Sequence, residues 1–206
     1  MYRSPTQSGI LRGDRCQRRV RVQSVEVLSD DWSVLKKTSF DFLRNDGTWQ
    51  RQSRETYDRG NGATILLYNR ERRTVVLTRQ FRYPAFVNGN RGLLVETPAG
   101  LLEERSPEEA IRKEVAEETG YMVHDVRKVF EAFMSPGSVT EKLYFYVAEY
   151  DASSRGDQGG GIPEDGEDIE TFEMSLDEAM AAIASGVIQD GKTIILLLYA
   201  KLHLFS

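Results

Sequence analysis

The stretch from Gly100 to Tyr121 constrains this chain most. Ser106 has the side chain of a helix N-cap. Pro107 suits the first helical position, where a missing N–H costs nothing. Glu109, three residues after Ser106, completes a capping box. The spacing predicts a helix to about Thr119, stopped at Gly120, which tolerates a left-handed backbone. Ala110, Ile111, Val115 and Ala116 give it an apolar side. Glu114, Glu117 and Glu118 follow i, i+3, i+4 spacing and share one face.

Three like charges on one face repel, by roughly a few tenths of a kcal/mol per pair on an isolated helix. Two accounts offset that repulsion. One is a solvated acidic face with Arg and Lys neighbours. The other is a site for hard divalent cations, which take oxygen ligands. The flank Thr97-Pro98-Ala99-Gly100 favours the second, since a tight loop ahead of the helix offers the Ala99 carbonyl.

The rest of the chain sets the frame. Its length suits one domain, or one with an appended element, and is ample for a packed core. A formal net charge of -5 gives no broad electrostatic footprint for nucleic acid. The single cysteine, Cys16, rules out an intrachain disulfide and fits a reducing, cytoplasmic compartment. Cys16 reads as an inert surface thiol. The longest apolar run, Ile194 to Ala200, is too short to span a bilayer. Residues 1–19 are Arg-rich without a hydrophobic core, so they read as a flexible basic tail rather than a secretory signal.

Residues 20–57 read as a β-hairpin element. Val20 to Val27 and Trp32 to Leu43 are β-rich, Asn45-Asp46-Gly47 is a turn signal, and Thr48 to Tyr57 is the return strand. Its polar side and open edges call for a cover, and a partner subunit is one. Trp32 is by default a packing residue; Arg54 and Glu55 are by default a surface charge pair. Residues 58–206 read as the main domain. Ala63 to Tyr68 and Thr74 to Arg79 are nearly continuous apolar strands, as expected when both faces are buried. Arg82 follows the second, where it suits either a bidentate phosphate grip or a salt bridge. Val87 to Gly92 is a loop, and Leu93 to Thr97 a short strand.

After the helix, Val123 to Phe133 and Lys142 to Ala148 read as strands. Asp151 to Gly166 reads as a mobile loop. Its acidic end, through Glu167 to Glu170, is either solvated or a lid carrying a carboxylate. Ser175 and Glu178 form a second capping box, and a last helix spans Lys192 to Leu204. Lys192 opposes the dipole at that helix's start, which suits a purpose other than helix stability. Strands with one helix between them and two at the end point to helices on both sides of a mixed sheet.

The second half of the opening stretch, Lys113-Glu114-Val115-Ala116-Glu117-Glu118-Thr119-Gly120-Tyr121, resembles the signature of the Nudix hydrolases. Lys113 stands where that pattern has Arg. The Gly100–Glu114 interval is one residue short, leaving Glu103 or Glu104 to supply the pattern's early Glu. From about Val22 to Leu202 the chain resembles the GDP-mannose pyrophosphatase branch of that family, close to the ADP-ribose pyrophosphatases. Arg54 to Gly62, Arg79 to Arg82, Val87 to Asn90, Met134 to Gly137, Glu167 to Glu170 and Asp190 to Thr193 carry the likeness.

The resemblance implies an α/β/α sandwich with a mixed sheet and an N-terminal β extension exchanged between the subunits of a homodimer. It implies metal ligation by the Ala99 carbonyl, Glu114, Glu118 and Glu167, with Glu117 a further metal or supporting carboxylate. Two or three Mg²⁺ ions are expected, with Mn²⁺ able to substitute. Trp32 is expected to stack on a guanine. Arg54, Glu55, Arg82, Glu141 and Lys192 would line the nucleotide-sugar site, with Gly100 and Leu101 near the phosphates. The implied reaction cleaves GDP-mannose to GMP and mannose 1-phosphate, with Glu167 as base and Glu118 as alternative. ADP-ribose or another nucleoside diphosphate sugar is the second substrate reading. A nucleotide-sugar sensor without catalysis is the non-enzyme reading, disfavoured by the intact carboxylate set. Neither nucleic acid nor membrane is an expected partner.

Overall fold

The computed structural model describes residues 18–156, 159–162 and 166–205. Most of the basic tail, with Cys16, therefore lies outside the described residues, as do Glu164 and Asp165 of the long loop. The chain forms two compact units: one runs through Arg59 and includes Ser135–Thr140, and the other holds Gly60–Met134 and the remainder from Glu141.

The first unit is built on a three-stranded antiparallel sheet, β1 (Val20–Asp30), β2 (Val34–Leu43) and β3 (Trp49–Asp58), in sequence order. The hairpin expected from Asn45-Asp46-Gly47 is its second half. Gly47 has a left-handed backbone (φ +83°), and Asp46 Oδ1 accepts from the Thr48 N–H at 2.9 Å. The expected strand from Trp32 begins instead at Val34, because Asp31 to Ser33 make the first turn. A register shift between Val22 and Ser24 keeps Val20, Val22, Val25 and Val27 opposite Phe42, Phe40, Thr38 and Lys36, and so on one face; a second shift follows Val27. Every residue of β1 is exposed.

The second unit holds a mixed sheet in the order β10 (Glu170–Ser175), β5 (Thr74–Phe81), β4 (Gly62–Asn69), β9 (Lys142–Glu149), β8 (Arg127–Phe133). β6 (Leu93–Glu96) adds to β5, and β7 (Ala99–Leu101) adds to β4. β4 and β9 are parallel and the other pairs antiparallel. β4 is buried along its whole length, as its apolar run requires. Its alternate residues point to opposite faces. Ala63, Ile65 and Leu67 meet Ile111 and Val115 of helix α2 (Pro107–Thr119). Leu66 and Tyr68 share the other core with Leu176 and Ala179 of α3 (Leu176–Ala184) and Leu196, Leu197 and Ala200 of α4 (Gly191–His203). The result is the expected α/β/α sandwich. No described helix is long and apolar enough to cross a membrane.

Four elements depart from the sequence expectation. A short helix, α1 (Tyr83–Val87), follows Arg82, with Pro84 in its first turn where no N–H is needed. Ala99–Leu101 is a strand rather than a loop, paired with Gly62 to Thr64. Val123 lies ahead of β8, which starts only at Arg127; the Val126 N–H turns back to the His124 carbonyl. β10 escaped notice because its alternation, Phe172 and Met174 among Glu170, Thr171 and Glu173, sits against an acidic run.

Candidate active site

Helix α2 is terminated as its residues dictate. Ser106 Oγ accepts from the Glu109 N–H at 3.3 Å and Glu109 Oε2 accepts from the Ser106 N–H at 3.0 Å. Gly120 closes the helix with φ +71°. The apolar stripe then faces the sheet and carries Glu118 inward with it. Glu118 is only 2 % exposed, and its Oε2 is the one buried side-chain polar atom among the described residues without a hydrogen-bond partner. A buried, unsatisfied carboxylate oxygen is costly, so this position asks for a ligand.

Glu114 sits one turn earlier against β7. A Cβ on Gly100 would fall 2.1 Å from Glu114 Cδ, so only glycine leaves room for that carboxylate beside the strand. Burial raises the Glu114 carboxyl to about 7; Lys113 lowers it, while Glu117 and Glu167 raise it further. Burial also raises Glu118 to about 8, with Glu114 adding to the rise, Arg82 opposing it, and Glu167 and Glu96 adding again. Glu117 behaves differently: it accepts a 2.6 Å ion pair from Lys113 at i, i+4 on the partly exposed flank of the helix. The solvated-face account therefore describes Glu117, and the buried-site account describes Glu114 and Glu118.

These groups fit a hard dication. The donors are all oxygen, one buried oxygen has no partner, and burial, with the neighbouring acids adding to it, makes Glu114 and Glu118 resist ionising. The described residues contain no group of three acids, histidines or cysteines already at ligating distances. Glu167 Oε2 accepts from the Ile162 N–H at 2.9 Å.

That hydrogen bond belongs to the glycine-rich loop, whose described residues pack back on α2. The Gly161, Gly160 and Gly156 N–H groups donate to the carbonyls of Glu117, Glu118 and Gly120 at 3.0, 2.9 and 2.9 Å. They satisfy carbonyls that a helix C-terminus leaves open. Thr171 Oγ1 adds a bond to the Glu118 carbonyl at 2.9 Å. A Cβ on Gly159 would lie 2.5 Å from the Thr119 backbone carbon, so the close approach requires glycine.

A cationic group completes the site. Arg82, just past β5, donates to Glu96 Oε2 through Nε at 3.0 Å and a terminal nitrogen at 2.8 Å. Lys192, in the first turn of α4, reaches Glu96 Oε1 and Asp190 Oδ2, both at 3.1 Å. Burial lowers the Arg82 affinity for its proton, but Glu96, Glu118 and Asp190 outweigh it and leave the guanidinium pKa raised. Arg82 is thus in the salt bridge that was one of its two readings. Glu96 was missed in the sequence, where it is one acid at the end of an apolar strand.

Glu141 precedes β9 beside Gly62. A Cβ there would lie 3.4 Å from Glu141 Oε1 and 3.0 Å from the Gly100 carbonyl oxygen, which places Glu141 near Gly100 and its neighbour Leu101. The second unit therefore gathers Ala99, Gly100, Leu101, Glu114, Glu118, Glu141 and Glu167, and Arg82 beside Glu118 with Lys192. Trp32, Arg54 and Glu55 are on the first unit. Trp32 is 90 % exposed, so it packs against nothing in that sheet. Arg54 and Glu55 are successive strand residues and project to opposite faces; Arg54 donates to the Ser53 carbonyl and Gln52 Oε1.

Comparison with known proteins places this geometry. Residues 58–197 match the NUDIX domain, and residues 19–57 match the GDP-mannose pyrophosphatase NudK N-terminal domain. The chain is similar to a GDP-mannose pyrophosphatase of Pectobacterium atrosepticum, 57 % identical over 85 % of this chain and 90 % of the relative. It is 55 % identical to that of Citrobacter koseri, over 84 % and 91 % of the two chains. It is 53 % identical to that of Yersinia enterocolitica, over 89 % and 97 %.

Proposed function

The chain belongs to the Nudix hydrolase family, and from that premise we propose that it hydrolyses the diphosphate of a nucleoside diphosphate sugar, GDP-mannose first, to GMP and mannose 1-phosphate. The observation that carries the reading is Glu118: a buried carboxylate with an unpartnered oxygen, crowded by Glu114 and Glu167.

The Ala99 carbonyl, Glu114, Glu118 and Glu167 would hold two or three Mg²⁺ ions, with Mn²⁺ able to substitute and Glu117 in support. Such ions would supply charge neutralisation for the phosphates and a more acidic water than bulk, whose pKa is ~15.7. Glu167 accepts the proton of the attacking water at Oε1, since Oε2 is engaged by the Ile162 N–H; Glu118 is the alternative base. Arg82 and Lys192 face the charge that develops on the diphosphate. Gly100 and Leu101 present backbone beside the phosphates, and Glu141 binds at the same edge. Trp32, Arg54 and Glu55 belong to the nucleotide side, supplied through an exchanged N-terminal sheet in a homodimer. A cytoplasmic setting is part of the same reading.

Magnesium-dependent phosphate release, coupled to a phosphatase and run over GDP-mannose, ADP-ribose and other sugar nucleotides, tests substrate and class together. A sensor binds without release. Glu118→Gln should cut kcat by roughly 10²-fold or more while the circular dichroism spectrum stays unchanged. Near-normal turnover by the folded variant overturns the assignment.

A further inference from the structure

Glu96 is the most completely buried acid of the cationic group, its side chain 4 % exposed against 39 % for Arg82. It closes β6, held by the register Thr78↔Glu96 and by Thr78 Oγ1 donating to its carbonyl at 3.2 Å. The next residue, Thr97, donates its N–H to Thr193 Oγ1 of α4 at 2.7 Å. Thr193 is in turn fixed by the N-cap Asp190, whose Oδ2 accepts from its N–H at 3.0 Å and its hydroxyl at 2.6 Å. Three distant parts of the chain, the ends of β5 and β6 and the start of α4, are thereby locked to one carboxylate.

An acid this deep is not explained by stability. A buried ion pair seldom stabilises a fold more than well-packed apolar groups of the same size. What the arrangement accomplishes is geometric. One carboxylate oxygen takes Arg82 through two nitrogens and the other takes Lys192, so the two cations are set side by side at a fixed separation.

We infer that Glu96 is a positioning residue, which aligns Arg82 and Lys192 as a paired cationic grip for a diphosphate. The inference rests on the functional reading above and extends it to a residue that does not itself touch substrate. Its consequence is specific: loss of the Glu96 charge releases both cations from their shared anchor, so the variant loses substrate grip.

The test uses the full chain with Glu96→Gln, which keeps the shape and an acceptor oxygen. Expected is a KM for GDP-mannose raised roughly tenfold or more with a smaller fall in kcat. In an Arg82→Ala, Lys192→Ala background the same substitution should leave KM within about twofold, since coupled residues are not additive. A merely structural Glu96 would give equal losses in both backgrounds, and that result overturns the inference. If Glu96→Gln melts early, Glu96→Asp, which keeps the charge, should recover the melting temperature and part of the KM loss; recovery of neither also overturns it. Failure of the unsubstituted chain to release phosphate from any sugar nucleotide sinks the functional reading instead. An active unsubstituted chain with an unaffected Glu96→Gln variant sinks this inference alone.

Discussion

At the scale of single residues, the signature stretch was legible because its determinants are local. Caps and carboxylate spacing are set within a few positions of one helix, and Ser106, Glu109 and Gly120 behave as their side chains require. Glu96 was not legible, because its partners lie 14 and 96 residues away and only strand pairing brings them together. Gly100 stands between these cases: the sequence marks a glycine, but the reason for it is the Glu114 carboxylate. Gly100→Ala should displace that carboxylate and lower kcat/KM by roughly 10²-fold, with the melting temperature little changed; wild-type kinetics would show the Cβ accommodated elsewhere.

Glu114 and Glu118 also make a statement about pH. Unfolded, each ionises near the ordinary 4.5; folded and metal-free, burial holds them at about 7 and about 8. The fold favours their neutral forms, so the stability they contribute is full below 4.5 and is lost as pH rises through those higher values. A dication that binds only the folded, ionised site reverses the trend. The metal-free protein should therefore melt several degrees lower at about pH 8.5 than at about pH 6, and saturating Mg²⁺ should restore the difference at the higher pH. Scanning calorimetry with and without chelator reads this directly. A melting temperature indifferent to both pH and Mg²⁺ would mean that these carboxylates are solvated.

At the scale of elements, the residue patterns pointed to helices on both sides of a mixed sheet, the family resemblance supplied the sandwich, and the loop behind the helix could not be read. Gly159-Gly160-Gly161 has the composition of a flexible segment, yet its glycines are there for close approach: two donate to α2 carbonyls and the third lies against the Thr119 backbone. The docking matters for chemistry because the same segment orients Glu167 through Ile162. Gly159 also has φ +68°, which other residues adopt only with strain. Gly159→Val should undock the loop, cost about 1–3 kcal/mol in denaturant unfolding and lower kcat more than it raises KM. Hydrogen exchange at the Gly160 and Gly161 amides is the direct check, with faster exchange expected in the variant. Unchanged protection would show that the loop is held by other contacts.

At the scale of the whole molecule, the N-terminal sheet is the part the sequence described least completely. Its turn at Asn45 to Gly47 is a strong local signal, but the long first strand reads weakly, since Arg21, Gln23, Ser24, Glu26 and Ser29 dilute its valines. The register shift between Val22 and Ser24 turns that diluted pattern into a continuous row of Val20, Val22, Val25 and Val27 beside Phe40 and Phe42. An exposed edge strand carrying such a row is unusual in a monomer, where edges are kept short, charged or covered. Trp32, almost fully exposed in the adjoining turn, adds to the apolar surface. A second copy of the chain is the cover proposed here, and it would bring Trp32 and its sheet to the nucleotide. Light scattering should then give a dimer for the unsubstituted chain. Val22→Glu with Val27→Glu, which puts two charges into the row, should shift it to monomer and cost more in KM than in kcat, because only the nucleotide side is lost. A monomeric unsubstituted protein with full activity would remove the exchanged sheet from the site, and with it the roles proposed for Trp32, Arg54 and Glu55.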